Sequence, residues 1–130
     1  MSYLFLNYGM ELMQSEPLIE VFASAKFQRD LRTLAKKYRH IRSDVQPIIE
    51  QLLSGELPGN QVSGVGYTIY KVRVQNSDIQ KGKSGGYRLI YYVKTITNIF
   101  LVTIYSKSEQ EDIAAEEIQQ ILASETQLQE

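Results

Sequence analysis

Apolar residues recur along the chain with two different periods, and the switches between them divide it into elements. After Pro17, the run Leu18-Ile19-Glu20-Val21-Phe22 alternates and predicts a first strand. From Ser24, a suitable N-cap, apolar residues recur at Phe27, Leu31, Leu34, Ala35 and Tyr38, the stripe of an amphipathic helix. Lys26, Arg29, Arg32, Lys36, Lys37 and Arg39 fill its other face. Beyond His40-Ile41-Arg42, Ser43 and Gln46 form a capping box, and Pro47 falls in the tolerated first turn. A second helix is therefore expected to bury Val45, Ile48, Ile49, Leu52 and Leu53 and to stop at Gly55, making a helical hairpin with the first.

Residues 54–66 are rich in Gly, Ser, Asn and Pro and read as a loop. Alternation then takes over. Residues 67–74 set Tyr70, Val72 and Val74 on one face and Tyr67, Ile69, Lys71 and Arg73 on the other. Residues 87–94 and 99–107 are two further strands joined through Thr95-Ile96-Thr97-Asn98. Ser108 and Glu111 offer a capping box for a last helix carrying Ala114, Ile118, Ile121 and Leu122. The expected fold class is α+β in the order β-α-α-β-β-β-α. A small, mostly antiparallel sheet carries the helical hairpin on one face, with a C-terminal helix and the other face open.

A length of 130 residues, 43% of them hydrophobic, fits a single domain, which the pattern sets at residues 17–124. Residues 1–16 show no clear period and read as an N-terminal extension, and 125–130 as a C-terminal tail. No apolar run approaches the roughly 18 residues of a membrane helix. The apolar start at Met1 has no Lys or Arg before it and is cut short by Asn7, Tyr8 and Gly9, so it does not resemble a signal peptide, and a cytoplasmic protein is expected. Absence of cysteine removes disulfides, thiolate nucleophiles and Cys-based zinc sites. A single histidine, His40, removes paired-histidine catalysis; it reads as a solvated or capping residue between the helices.

The net charge of −1 conceals a division. All 14 Lys and Arg residues lie between Lys26 and Lys107, whereas residues 108–130 carry seven acids and no base. A basic body with an acidic end is compatible with a polyanionic ligand, and equally with a solvated acidic helix face. The segment Lys81-Gly82-Lys83-Ser84 is not a phosphate-binding P-loop, because its first glycine would fall at Ser77 and a strand follows it. It remains a basic loop that can reach over a nucleic-acid backbone. Tyr87, Tyr91, Tyr92 and Tyr105 interleave with Arg88, Lys94 and Lys107, a composition shared by half-buried sheets and by surfaces that grip unstacked bases.

The stretch Lys81-Gly82-Lys83-Ser84-Gly85-Gly86-Tyr87-Arg88-Leu89-Ile90-Tyr91-Tyr92 resembles the sheet centre of the RelE/ParE superfamily of bacterial type II toxins, in its RelE/HigB-like branch. The Tyr70-Lys71-Val72-Arg73 strand, the helical hairpin before it and the ending Ile104-Tyr105-Ser106-Lys107-Ser108 follow in that family's order over about residues 18–122. The resemblance implies ribosome-dependent cleavage of mRNA without a metal or organic cofactor, by attack of the 2′-OH on the adjacent phosphate. Such chemistry needs a base, a phosphate clamp and a proton source. Lysine crowded by other cations can act as a base, and arginine stabilises phosphorane charge.

Carried over by position, Lys71 and Arg73 match the basic pair of the family's second strand, and Arg88 its phosphate-contacting arginine. Lys107 stands where the RelE type has an arginine after the fourth strand, and Asp112, Ile113 and Ala114 where it has a tyrosine in the last helix. The catalytic set implied is Lys71, Arg73, Arg88 and Lys107, with Lys81, Lys83, Tyr92 and Tyr105 binding RNA. The partners implied are a cognate antitoxin, the ribosome and its mRNA, with a toxin–antitoxin hetero-oligomer on operator DNA. Two other readings stay open: a ParE-like inhibitor of DNA gyrase, and a degenerate toxin that only binds its antitoxin.

Overall fold

The computed structural model describes residues 5–6, 9–10, 18–79 and 85–129. Near the start, β1 (Phe5–Leu6) and β2 (Gly9–Met10) form a short antiparallel ladder. There follow β3 (Glu20–Ala23), α1 (Ala25–Lys37), α2 (Ile41–Leu53), β4 (Asn60–Val62), β5 (Ile69–Val74), β6 (Tyr87–Thr95), β7 (Asn98–Ser106) and α3 (Ala115–Gln129). The larger sheet has the order β3-β7-β6-β5-β4, with β3 parallel to β7 and every other pair antiparallel. This is the expected mostly antiparallel α+β fold.

Helix α1 forms where its stripe predicts. Phe27 and Leu34 are buried, Leu31 and Ala35 partly so, and Tyr38 closes the end. These residues and Ile41, Val45 and Leu52 of α2 pack on Val72, Val74, Tyr87, Leu89, Tyr91, Ile99, Leu101 and Ile104. Helix α2 starts earlier than the capping box indicated: Ile41 is wholly buried, and the Ser43 hydroxyl donates to the His40 carbonyl at 2.9 Å instead of capping. Leu53, expected in the core, is 48% exposed.

Three further differences concern the sheet. The polar loop after α2 contains β4, which Gly59 admits: at φ +94° it lies so close to the Lys71 backbone that a Cβ would overlap it. The last helix starts at Ala115, because residues 107–110 form a turn in which the Glu109 and Gln110 N–H groups both donate to the Ser106 carbonyl. The second face of the sheet is not open. Helix α3 lays Ile118 and Leu122 on Ile69, Ile90, Val102 and Tyr105, with Val65 beside them, giving a second, smaller apolar cluster.

The register between β6 and β7 shifts by one residue. Tyr91 opposes Leu101 but Ile90 opposes Thr103, so Val102 is an extra residue, a β-bulge. Helix α1 is tied to this bulge. The buried Ser24 hydroxyl donates to the Val102 carbonyl at 2.7 Å while its oxygen accepts from the Phe27 N–H at 2.9 Å, and Asp30 accepts from the Thr103 hydroxyl at 2.6 Å. One serine thus caps a helix and satisfies a carbonyl at an irregular point of the sheet. Replacing Ser24 with Ala is expected to cost about 1–3 kcal/mol, seen as a lower urea midpoint at unchanged slope. A loss under about 0.5 kcal/mol would show that the link contributes little.

Candidate functional site

Alternation along β5 sends Val72 and Val74 into the main core and so turns Lys71 and Arg73 to the α3 side of the sheet. On β6, Arg88 lies between buried Tyr87 and Leu89 and faces the same way. Register then aligns them: Arg73 is directly opposite Arg88, and Arg88 is directly opposite Tyr105 of β7. Like charges facing each other across two strands oppose folding. Among the described residues neither arginine has an ion-pair partner, and the Arg88 guanidinium makes only a 3.3 Å contact to the Tyr87 carbonyl. The row suits an anion that bridges both guanidinium groups.

The two lysines differ from the arginines. Lys71 Nζ lies 3.2 Å from Asp112 Oδ1, which also accepts from the Tyr105 hydroxyl at 3.3 Å and the Ile113 N–H at 2.9 Å. Lys107 Nζ donates to the Glu111 carbonyl at 3.1 Å and lies 3.3 Å from its carboxylate. The acid-rich connector between β7 and α3 therefore covers both lysines and leaves the arginines uncovered. The cationic crowding that a lysine base calls for is not what surrounds Lys71, whose ion-pair partner is a carboxylate. Asp112 is held below the ordinary carboxylate range, first by the Ile113 N–H and then by Lys71.

Comparison with known families bears on this arrangement. A family model described as the RelE toxin of the RelE/RelB toxin–antitoxin system matches residues 19–130. The chain belongs to this family. A RelE toxin of this kind implies an antitoxin partner. No helix among the toxin's described residues is long and apolar enough to cross a membrane. No group of three or more His, Asp or Glu residues among them is placed to hold a metal ion.

Of the RNA-binding positions assigned to this RelE toxin by sequence, Tyr105 joins the row. Tyr92 does not: it packs edge-on against Tyr67 at 5.3 Å and beside Phe100 at 6.3 Å. It lies four residues beyond Arg88, about 13 Å along the strand. Lys81 and Lys83 fall outside the described residues. The loop that carries them starts from a fixed base, since Asp44 accepts from the Ser77 N–H and hydroxyl, and Asp78 binds His40 Nδ1 at 2.7 Å and its N–H at 3.0 Å. His40 is thus the residue at the start of α2 and an anchor for the loop. It holds the Asp78 carboxyl below its usual range.

What the sequence reading missed is Asp112 and Glu111. Both were visible as acids, but nothing in their spacing says which cations they meet.

Burial pushes the Tyr105 phenol up to about 12, and the Asp112 charge adds to the effect. Tyr105 is therefore a neutral O–H donor at any physiological pH. Because its folded pKa lies above the unfolded value of about 10, its contribution to stability is complete below pH 10 and is lost as pH rises toward 12. An alkaline titration is expected to show a fall in stability across that window which Tyr105→Phe reduces. A Tyr105 phenol that ionises together with exposed tyrosines, near pH 10, would contradict its burial.

Proposed function

We propose that this RelE toxin is a ribosome-dependent endoribonuclease that cleaves mRNA in the cytoplasm and arrests translation, using no metal or organic cofactor. The observation that carries the reading is the directly opposed Arg73–Arg88 pair, two guanidinium groups without an ion-pair partner among the described residues, flanked by Lys71, Lys107 and a neutral phenol. In the reaction the 2′-oxygen loses its proton and bonds to the adjacent phosphorus. The bond from phosphorus to the 5′-oxygen breaks, and that oxygen takes up a proton. Arg73 and Arg88 clamp the phosphate and stabilise the charge of the phosphorane. Once the message has displaced Asp112, Lys71 is left beside Arg73 and Arg88 and takes the 2′-OH proton as the base. Lys107 supplies the proton to the leaving oxygen, though without the planar fork of an arginine. Tyr105 orients the nucleotide at the edge of the row, and Lys81, Lys83 and Tyr92 extend the contact with the message.

The antitoxin silences the toxin by laying a segment that orders on binding over the Arg73–Arg88 row, and the resulting hetero-oligomer binds operator DNA. The antitoxin and the message meet the toxin through the same positive charge, so only one can occupy it at a time.

Cleavage of message on programmed ribosomes under single-turnover conditions tests the reading. Arg88→Ala is expected to slow it about 100-fold or more, in line with removal of one preorganised charge from a transition state. The Arg73→Ala, Arg88→Ala double variant, folded by circular dichroism, should no longer arrest growth. Growth arrest by the intact chain with messages uncut, as a gyrase inhibitor would give, would overturn the reading.

A further inference from the structure

Asp112 sits on the cationic row as a bound anion would. Three donors converge on its Oδ1: the Lys71 ammonium, the Tyr105 hydroxyl and the Ile113 N–H. The first two are groups a substrate phosphate oxygen would meet at this place. The neighbouring acids of the same connector repeat the pattern, Glu111 on Lys107 and Glu109 on Lys37 at 2.8 Å. The connector is short and fixed at both ends. Behind it is the end of β7, and ahead of it α3 is held by Ile118 and Leu122 and by the Gln119 amide, which donates to the Val65 carbonyl at 2.6 Å. Asp112 is thereby presented to Lys71 at a high effective concentration. Its side chain is still 64% exposed, so nothing but these bonds keeps it there.

We propose that Asp112 is an intramolecular competitor for substrate phosphate, which keeps the toxin off free RNA and reserves Lys71 for message positioned by the ribosome. The inference rests on the reading of the row as an RNA site. A free strand must displace the carboxylate from Lys71 while also losing its own freedom. A message already held in the ribosome arrives with its position and orientation fixed. Arg73 and Arg88, which no described acid covers, make the first contact with the phosphate, and the bound message then displaces Asp112 from Lys71. Asp112 is in this sense a specificity residue and not a catalytic one.

The test is binding of a short fluorescent oligouridylate to the full chain without ribosomes, followed by anisotropy at low salt. Asp112→Asn keeps an acceptor for the Ile113 N–H but loses the charge. It is expected to bind about two- to five-fold tighter than the wild type, the range in which exposed ion pairs act. Asp112→Glu should behave as the wild type, and Asp112→Ser should match Asp112→Asn, each remaining folded by circular dichroism. In a Lys71→Ala background Asp112→Asn should add nothing. If Lys71→Ala weakens binding but Asp112→Asn does not strengthen it, the competitor role is wrong and the RNA-site reading survives. If Lys71→Ala and Arg88→Ala both leave binding unchanged, that reading fails and the competitor role with it.

Discussion

A strand can aim a side chain at only one of two faces, and in β7 the extra residue at Val102 decides which. Before it, Ile99 and Leu101 point to the helical hairpin and Phe100 to the other side. After it the parity is reversed, so that Ile104 fills the main core and Tyr105 joins Arg88 on the second face. An unbroken ladder would turn the Tyr105 phenol toward the helices and leave the arginine row without its third member. The carbonyl at the bulge is in turn satisfied by Ser24, which is placed by the start of α1. The cationic face is thus built from the opposite side of the sheet.

On that face the two kinds of cation are treated differently. The ion pairs there among the described residues engage Lys71 and Lys107, and no arginine. This runs against the usual preference for arginine in ion pairs. Exposed lysine pairs contribute at most about 1 kcal/mol each, so a ligand can exchange with them at small cost. Two facing guanidinium groups, by contrast, raise the energy of the empty fold and gain when an anion arrives. For the proposed RNA site this places opposed charge where a phosphate would relieve it and weak bonds where a phosphate would replace them.

Much of this was legible in the chain. The spacing of Phe27, Leu31 and Leu34, the cap at Ser24 and the stop at Gly55 are local signals, and local signals describe α1 and the end of α2 well. Alternation at Val72 and Val74 already placed Lys71 and Arg73 on the far face, and the resemblance around Arg88 brought the third cation to them. The failures are non-local. Asn60–Val62 has no strand pattern of its own and pairs only because Gly59 lets the chain approach Lys71. Ser108 and Glu111 have the spacing of a cap, but the carbonyl of Ser106 takes their turn elsewhere. The second apolar cluster required knowing that α3 folds back over Ile69 and Ile90. The link from Asp112 to Lys71 joins positions 41 residues apart, and no period in the sequence reports it.

The parallel pairing of β3 with β7 carries a consequence for the order of synthesis. Glu20 lies against Asn98 and Ala23 against Leu101, and the Ser24 hydroxyl waits for a carbonyl 78 residues downstream. A chain emerging from its ribosome can form the helical hairpin early, but it has no sheet to dock on until β7 is out. Tyr105, the last member of the row, lies at the very end of that strand. The nascent protein therefore cannot assemble its cationic face until β7 has been made, long after the helical hairpin has left the ribosome.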